Sequence, residues 1–481
     1  MPETVEASQT VEASVTVVGI GADGWAGLTA AARDALTGAD VLIGGARQLV
    51  MAPTDVCRGE RVSWPSPLRP AVPRLLAQYA GRRIVVLASG DPMFYGIGRA
   101  LSEEIGPDGT GHPGHPGRLR ILPHPSSVSY ACARLGWPVE DTEVVTVVGR
   151  PLARLTAALH EGRRVLVLSA GSGSPAEIAA LLRERGFGPS RMRVLEQLGS
   201  EDEAAYEGTA DTWPHPPGDP LNVVAVDCRR APGALRLGAT PGLPDRAYEH
   251  DGQLTKRHVR AATLCALAPA PGELLWDVGG GSGSIGIEWM RTHPSCRAVS
   301  VERSAERADR ITRNAAALGV PALRVVTGAA PEALAGLPAP DAVFIGGGLT
   351  APGLLDAVWA ALPPGGRLVA NTVTLESEAL LARWYREHGG ELVKLAVSHA
   401  TAVGGFTGWR QAMPVTQWSV TKGAVHALPD GAVKAVAADS ADSAVSTTHG
   451  DDRGDDTAPA TADSGNDDSG NDNAQVTKEG V

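Results

Sequence analysis

The stretch Leu274 to Gly286, LLWDVGGGSGSIG, has the residue types and spacing of a nucleotide-cofactor site. The apolar run ending at Val278 suits a buried parallel strand, and the glycines that follow permit a tight turn and a close approach of backbone to a ligand. A second apolar run ends at Glu302, whose carboxylate can accept hydrogen bonds from both hydroxyls of a ribose. The predicted cofactor-binding residues of this site are Asp277, Gly279, Gly280, Gly281, Ser282, Gly283 and Glu302.

The identity of the cofactor is not fixed by the glycine spacing. Gly281, Gly283 and Gly286 satisfy the dinucleotide fingerprint, so a nicotinamide oxidoreductase is one alternative. Asp277 favours S-adenosylmethionine, because a carboxylate at the strand end would repel a pyrophosphate but attract the ammonium and sulfonium of that methyl donor. An S-adenosylmethionine-dependent RNA methyltransferase is a second alternative.

Charge is distributed very unevenly along the chain. Of a formal net charge of −11, most lies in the segment from Ala437 to Val481, where eleven acidic residues face only Arg453 and Lys478. The rest is nearly neutral, which argues against a nucleic-acid partner. The tail has no aromatic residue and is predicted to be disordered.

Location and partners are predicted from what the sequence contains. No apolar run approaches the roughly 20 residues needed to span a bilayer, so no membrane partner is expected. The five cysteines are scattered singly, and the polar, acidic start MPETVEASQT does not resemble a signal peptide. These features predict a cytoplasmic protein.

Strand and helix patterns alternate along the chain and predict an α/β protein. In the second region the alternation requires crossover connections, and hence a doubly wound, mostly parallel, Rossmann-like sheet with its ligand at the carboxyl ends of the strands. Met413 to Val420 is predicted as its closing edge strand. The predicted division is residues 14–230 for the first domain, 231–242 for a linker, 243–422 for the second domain and 423–481 for the disordered acidic tail.

Three loops at predicted strand ends are candidates for a second site in the first region: GIGADG from Gly19, SGDPMFYGIG from Ser89, and PHPSSVSY from Pro123. Asp91 and Pro92 define a rigid turn with a carboxylate at its lip, and the aromatic rings that follow can pack on adenine or another flat ring system. A plain turn covered by core aromatics is the alternative.

The same motifs resemble known families. SGDPMFYGIG, HPSSVSYACARLGWP, LNVVAV and GIGADG resemble the tetrapyrrole methylase family, in its corrin C-5 methylating branch. LPDRAYEHDGQLTKRHVRAATLCAL, WDVGGGSGSIGIEW, VERSAERADRITRNAAALGV, VTGAAPEAL and DAVFIGGG resemble the corrin C-15 methylating and decarboxylating family. The resemblance implies an N-terminal tetrapyrrole methylase fold joined to a C-terminal Rossmann-like S-adenosylmethionine methyltransferase domain.

The activity implied by this resemblance belongs to cobalamin synthesis. Reduced precorrin-6 would be methylated at C-5 and C-15 and would lose the carboxyl group of its ring C acetate, giving precorrin-8X; the cobalt-containing precursor is an alternative substrate. Two S-adenosylmethionine sites are expected, with a precorrin as partner and a homo-oligomer by analogy with the parent families. No metal is expected, and His112, His115 and His124 are interpreted as loop residues.

Site residues follow from the resemblance position by position. The second site is expected to use Thr255, Gly279, Gly281, Gly283, Glu302, Gly328 and Ala329. The first site is expected to use Gly90, Asp91, Phe94, Ser126 and Ser127, with Gly21 and Asp23 in the floor of the cleft. Ser126 and Ser127 have a second interpretation, as capping hydroxyls of the next helix.

A cationic segment precedes the glycine motif. Thr255 is predicted to cap a helix whose first turn carries Lys256, Arg257, His258 and Arg260. Cations there oppose the helix dipole, which suggests that an anionic ligand compensates them. The hypothesis is that Lys256, Arg257 or Arg260 binds substrate carboxylates and that His258 transfers a proton, whereas the alternative is a solvated helix face.

Overall fold

Three sheets organise the part of the chain that the structure describes. The structure is a computed structural model and describes residues 15–106 and 119–423 of the 481. Residue 14, at the predicted start of the first domain, lies outside this range, as do His112, His115 and the acidic tail from residue 424. None of the described helices is both long and apolar enough to cross a membrane.

The first sheet is parallel, with strand order β3-β2-β4-β1-β5. Its strands and the helices between them are β1 (Val15–Ile20), α1 (Ala30–Thr37), β2 (Val41–Gly44), α2 (Ala46–Met51), β3 (Glu60–Ser63), α3 (Leu68–Gln78), β4 (Ile84–Ser89), α4 (Gly98–Ile105) and β5 (Leu119–Leu122). The Thr29 hydroxyl accepts a hydrogen bond from the Ala32 amide at 3.2 Å and so caps α1. Because the strands are parallel, the loops that follow them meet at one edge.

The second sheet is mixed, with order β6-β7-β10-β8-β9, in which only β6 and β7 run parallel. Its elements are α5 (Ser127–Leu135), β6 (Thr142–Thr146), β7 (Arg164–Leu168), α6 (Ser174–Glu184), β8 (Arg191–Glu196), β9 (Ala204–Thr209) and β10 (Asn222–Asp227). Helix α5 packs through Val128, Ala131 and Cys132 on Leu166 and Val223 of the sheet. The helix therefore links the third predicted loop of the first site to the second sheet.

The third sheet has order β13-β12-β11-β14-β15-β19-β16, and its first five strands are parallel. Its elements are α7 (Arg257–Leu267), β11 (Leu274–Val278), α8 (Ser284–Thr292), β12 (Arg297–Glu302), α9 (Ala305–Ala317), β13 (Arg324–Thr327), β14 (Ala342–Ile345), α10 (Leu354–Ala361), β15 (Arg367–Thr372), α11 (Leu375–His388), β16 (Glu391–Leu395) and β19 (Val415–Thr421), with β17 (Ser398–Val403) and β18 (Phe406–Gln411) forming a separate hairpin. The strand order reverses between β11 and β14, so a crevice opens at the carboxyl ends of these two strands.

The predicted edge strand from Met413 to Val420 is wrong in its position. β19 lies between β15 and β16 and pairs antiparallel with both, and Trp418 is completely buried. The edge is β16, a short strand without a fully buried residue. This antiparallel insertion also departs from the 3-2-1-4-5-6 order of dinucleotide-binding sheets.

The predicted linker ends at a fixed point on the third sheet's helices. The amides of Gly242 and Leu243 donate hydrogen bonds to the Glu288 carboxylate in α8, at 2.5 and 3.0 Å. Near α9 the chain also touches the first region, since a Cβ at Gly319 would overlap the backbone of Ala157. The regions before and after the predicted linker are therefore in direct contact.

Candidate active sites

A cavity of about 460 Å³ opens where the strand-end loops of the first sheet face the second sheet. Residues of the SGDPMFYGIG loop line it together with β7 and β10 residues such as Leu168 and Val223. All six first-site residues assigned to the cofactor line this cavity: Gly21, Gly90, Asp91, Phe94, Ser126 and Ser127. The structure thus brings together three loops that are far apart in sequence.

Two glycines let these loops approach one another. Gly90 has a φ of +56°, a conformation that side chains with a Cβ rarely adopt. At Gly19, a Cβ would overlap the carbonyl oxygen of Gly90 and lie 2.7 Å from the His124 amide nitrogen. Glycine at both positions is therefore required by the close contact of the three loops.

The Asp91 carboxylate stabilises its own turn, because one of its oxygens accepts a hydrogen bond from the Met93 amide at 2.8 Å. Ser126 is the N-cap of α5 and accepts from the Ser129 amide at 3.1 Å, as the capping interpretation predicts. Ser127, the first residue of α5, is exposed at the cavity. Asp91 and Ser126 both line the cavity, and their side-chain oxygens hold the local backbone in place through these hydrogen bonds.

Buried His124 pairs with half-buried Asp23 beside the cavity. The imidazole Nε2 lies 3.1 Å from an Asp23 carboxylate oxygen, and His124 is 7% exposed. A Cβ at Gly21 would lie 2.6 Å from the other Asp23 oxygen, so the pair forms the wall behind this glycine. Gly21 lines the cavity and Asp23 lies directly behind it, so a place for Asp23 in the floor of the cleft stays a prediction.

Sequence reasoning missed three polar residues of this cavity. Arg47, Ser169 and Asn222 line it. Each has a buried polar atom without a hydrogen-bond partner in the described part of the chain: Nη1 of Arg47, Oγ of Ser169 and Oδ1 of Asn222. Asn222 lies in the LNVVAV motif, whereas Arg47 follows β2, a four-residue strand with no clear period. Unsatisfied buried polar atoms are rare in proteins, and here they surround a space of ligand size.

The second candidate site is the crevice between β11 and β14. The glycine loop after β11 has φ values of +76° at Gly279, +59° at Gly281 and +78° at Gly283. A Cβ at Gly279 would lie 2.8 Å from the Gly347 amide in the loop after β14. The loop is thus held in a conformation that glycine alone adopts without strain, directly across the strand-order reversal.

Glu302 lies at the carboxyl end of β12, next to this loop. Its carboxylate oxygens accept hydrogen bonds from the amides of Gly281 and Ser304, both at 2.9 Å. The Gly328 amide, in the turn after β13, donates to the Glu302 carbonyl oxygen at 3.0 Å. Glu302 therefore connects the glycine loop with the turn at Gly328 and Ala329, so the predicted second-site residues are neighbours.

Asp277 does not reach the cofactor crevice. Its side chain is 1% exposed and lies beneath the loop, where it accepts from the Gly286 amide at 3.2 Å and from the Ser300 hydroxyl at 3.3 Å. Burial raises its pKa to about 7. The prediction that Asp277 meets the cationic end of a ligand is therefore wrong, because the carboxyl group is enclosed by protein; it supports the loop instead.

The cationic segment is also corrected by the structure. Helix α7 begins at Arg257 with Lys256, not Thr255, in the capping position. Arg260 is completely buried, with Nε 2.6 Å from the Glu288 carboxylate and its guanidinium over the Tyr248 ring. Arg257 donates to the Gly242 carbonyl at 2.8 Å. Arg260 is enclosed by protein groups at the end of the linker, so the hypothesis that Arg260 binds substrate carboxylates is wrong. Arg257 is exposed and binds the linker through its Nε, so a substrate carboxylate at its Nη atoms stays a prediction.

Other second-site residues lie near the same crevice. Lys256 and His258 are exposed and Thr255 is half-buried. Ser282 is 2% exposed, and its hydroxyl has no partner. At Gly281 the nearest neighbour of an added Cβ would be the Gln253 carbonyl oxygen, at 3.4 Å. The segment just before α7 therefore passes over the glycine loop.

Two family models match the chain. The one described as Tetrapyrrole (Corrin/Porphyrin) Methylases matches residues 14–214, and the one described as Precorrin methyltransferase domain matches residues 246–422. A relative from Sinorhizobium sp, Precorrin-6Y C(5,15)-methyltransferase (decarboxylating), is 48% identical over 409 residues, which cover 85% of this chain and 96% of that protein. The chain belongs to the precorrin-6Y C5,15-methyltransferase (decarboxylating) family.

Two further relatives match shorter parts of the chain. Cobalt-precorrin-7 C(5)-methyltransferase from Salmonella typhimurium is 38% identical over 195 residues, 40% of this chain and 89% of that protein. Probable cobalt-precorrin-6B C(15)-methyltransferase (decarboxylating) from Pyrobaculum calidifontis is 41% identical over 145 residues, 29% of this chain and 73% of that protein. The precorrin-6Y C5,15-methyltransferase family thus has relatives named for each of its two methylations.

Membership of the precorrin-6Y C5,15-methyltransferase family decides between the classes that the glycine motif left open. The chain is a methyltransferase of precorrins, so the nicotinamide oxidoreductase and the RNA methyltransferase are both wrong. The strand order of the third sheet agrees, since β19 interrupts the parallel arrangement typical of dinucleotide-binding sheets.

Proposed function

We propose that this chain performs the two methyl transfers of its family at two separate S-adenosylmethionine sites. The first cleft would methylate C-5 of a precorrin, and the crevice of the third sheet would methylate C-15 and release carbon dioxide from the ring C acetate. One observation supports this proposal most strongly: the chain has two candidate ligand sites lined by glycines at strand ends. The two sites lie on different sheets, and each lies mainly in a region matched by a different family model.

The first cleft fits a methyl donor in its size and its polar groups. A cavity of about 460 Å³ is within the range of small-molecule sites. The orphan atoms of Ser169 and Asn222 offer hydrogen bonds from the second sheet, and Phe94 and Leu195 offer apolar surface for an adenine ring. We assign Gly21, Gly90, Asp91, Phe94, Ser126 and Ser127 to this site on that basis.

The second crevice fits the same group through its backbone and one carboxylate. The open conformation of the glycine loop exposes backbone to a ligand, and the Glu302 carboxylate lies beside it to accept ribose hydroxyls. The buried hydroxyl of Ser282 has no protein partner in this loop. We assign Thr255, Gly279, Gly280, Gly281, Ser282, Gly283, Glu302, Gly328 and Ala329 to the second site, with Asp277 as a support of the loop.

The main chemical task of the residues in both sites is to position the reactants. S-adenosylmethionine, when bound, supplies an electrophilic methyl group. The precorrin carbon is itself an enamine-type nucleophile, so the protein needs no covalent nucleophile of its own. The glycine loops and the residues around them would hold the reactants in line, which can contribute a large part of a rate enhancement. In the decarboxylation, the conjugated imines of the macrocycle accept the electron pair of the broken bond.

The assignment of one methylation to each domain follows the two family resemblances. We propose residues 14–230 as the C-5 methylating domain, residues 231–242 as the linker and residues 243–422 as the C-15 methylating and decarboxylating domain. The tetrapyrrole methylase match to residues 14–214 supports the first assignment, and the precorrin methyltransferase match to residues 246–422 supports the second.

The test is product analysis with the full chain. Purified protein is incubated without oxygen with S-adenosylmethionine and metal-free reduced precorrin-6, and in parallel with the cobalt form, and the products are analysed by mass spectrometry. We expect a gain of two methyl groups and a loss of one carbon dioxide with the metal-free substrate. A product with the same change only from the cobalt form would overturn the choice of substrate, and a single methyl from either would overturn the two-site proposal.

A further inference from the structure

Among the described residues that line the first cleft, Arg47 is the one with a cationic side chain. This residue lies in the first turn of α2, directly after β2, and its guanidinium Nη2 is 3.2 Å from the Ser89 hydroxyl. Gln48 donates to the same hydroxyl at 2.6 Å. Arg47 is thus placed at the start of the SGDPMFYGIG loop, where the first-site residues converge.

The hydrogen-bonding capacity of Arg47 is incompletely used. Its Nη1 atom is buried and has no acceptor among the residues that the structure describes. Burial lowers the pKa of the guanidinium, and the negative charge of Asp219 partly offsets this effect. The Asp219 carboxylate accepts hydrogen bonds from the Leu221 amide at 2.7 Å and from Gln197 at 3.0 Å, and it makes no ion pair with Arg47. A half-buried cation with an unmet donor in a ligand cavity is costly unless an anionic ligand meets it.

The reacting molecules provide such an anion. A precorrin carries acetate and propionate carboxylates, and the methionine part of S-adenosylmethionine carries another. A guanidinium presents paired N–H donors in a plane that matches a carboxylate. The acidic side chain in the cavity lining, Asp91, uses one oxygen within its own turn.

We propose that Arg47 binds a carboxylate of a reactant in the first cleft and thereby orients it for methyl transfer. This inference rests on the proposed function of that cleft. Because the Arg47 guanidinium would bind and orient the reactant, its loss is expected to weaken reactant binding more than it lowers the rate of methyl transfer in the bound complex. A lysine at this position would keep the charge but lose the planar pair of donors.

The test compares the full-length Arg47→Gln and Arg47→Lys variants with the parent. The rate of C-5 methylation is measured as a function of precorrin concentration and, separately, of S-adenosylmethionine concentration. Fragmentation in the mass spectrometer shows which carbon carries the new methyl group. Arg69→Gln is the matched control, because that arginine lies on α3 with a side chain that is 68% exposed. Thermal unfolding of each protein and its C-15 methylation report on folding.

Arg47→Gln is expected to raise one KM of the C-5 step roughly ten- to a hundredfold, the effect of losing a charged hydrogen bond, with a smaller change in kcat. Arg47→Lys is expected to recover part of this loss, and Arg69→Gln to match the parent. A rise in the KM for the precorrin identifies a tetrapyrrole carboxylate, and a rise in the KM for S-adenosylmethionine identifies the methionine carboxylate. Unchanged KM values for both reactants in folded Arg47→Gln would overturn the inference, whereas a parent that never methylates C-5 would overturn the proposed function itself.

Discussion

At the scale of single residues, Asp277 shows how a motif residue can serve a site without touching the ligand. The carboxyl group lies under the glycine loop, where it accepts a hydrogen bond from Gly286 at the start of α8. Burial raises its pKa from 3.8 to about 7, so the folded protein keeps it protonated at pH values where the unfolded chain ionises it. Its contribution to stability is therefore fully present below about pH 4 and is lost as the pH rises to about 7.

Replacing Asp277 by Asn removes this pH dependence while keeping the shape of the side chain. We expect the stability of Asp277→Asn relative to the parent to improve by about 3 kcal/mol between about pH 5 and about pH 8, because about two pH units separate pH 5 from the folded pKa and each is worth about 1.4 kcal/mol. Urea unfolding midpoints of both proteins across this range measure the difference. A difference that is the same at both pH values would contradict a raised pKa for Asp277.

The single residues of the first cleft were predictable to different degrees. Gly90 and Asp91 belong to a turn whose residue types carry a local signal. Arg47 carries none, because its role depends on a cavity formed by two sheets and on an N–H group that finds no partner. Arg260 illustrates the opposite error: its charge was visible in the sequence, but the buried carboxylate of Glu288, with which it pairs, was not.

At the scale of elements, the end of the linker is fixed by one buried ion pair. Glu288 in α8 accepts from the Gly242 and Leu243 amides, from the Tyr248 hydroxyl at 2.8 Å and from Arg260 in α7. Removing one partner leaves the other charge buried and uncompensated, which typically costs about 3–5 kcal/mol. The helices α7 and α8 and the end of the linker thus share one stabilising group.

We therefore expect Arg260→Leu to lower the free energy of unfolding by about 3–5 kcal/mol. The control is Arg313→Leu, which removes a surface pair with Glu249 whose side chains are both more than half exposed and should cost less than about 1 kcal/mol. Tryptophan fluorescence during urea unfolding measures both. Equal losses of unfolding free energy in the two variants would show that the buried pair does not anchor the linker. A raised KM for the precorrin in Arg260→Leu, at unchanged stability, would restore the hypothesis that Arg260 binds substrate.

The predictability of elements followed the strength of their local pattern. Strands β1, β11, β14 and β10 have a strong local signal because each is a compact apolar run. Strands β2, β3, β9 and β16 have a weak local signal, because each is either four residues long or only partly buried. The insertion of β19 between β15 and β16 depends on contacts between distant segments, and no local period encodes it.

At the scale of the whole molecule, the central claim is that each region has its own methyl-transfer site. The first site lies between two sheets built from residues before 228, and the second lies on a sheet built from residues after 256. Ser127 is an exposed first residue of α5 at the first cavity, so a tryptophan there should fill the cleft without disturbing a core. Glu302→Ala removes the proposed ribose-binding carboxylate of the second site.

The most direct measurement is a mixing experiment with these two full-length variants, scored by mass spectrometry of the tetrapyrrole. Neither Ser127→Trp nor Glu302→Ala alone should deliver both methyl groups, whereas a mixture of the two should restore the gain of two methyl groups and the loss of carbon dioxide. Glu306→Ala, which changes a side chain that is 80% exposed in the first turn of α9, should behave like the parent. Transfer of both methyl groups by either variant alone would contradict two separate sites.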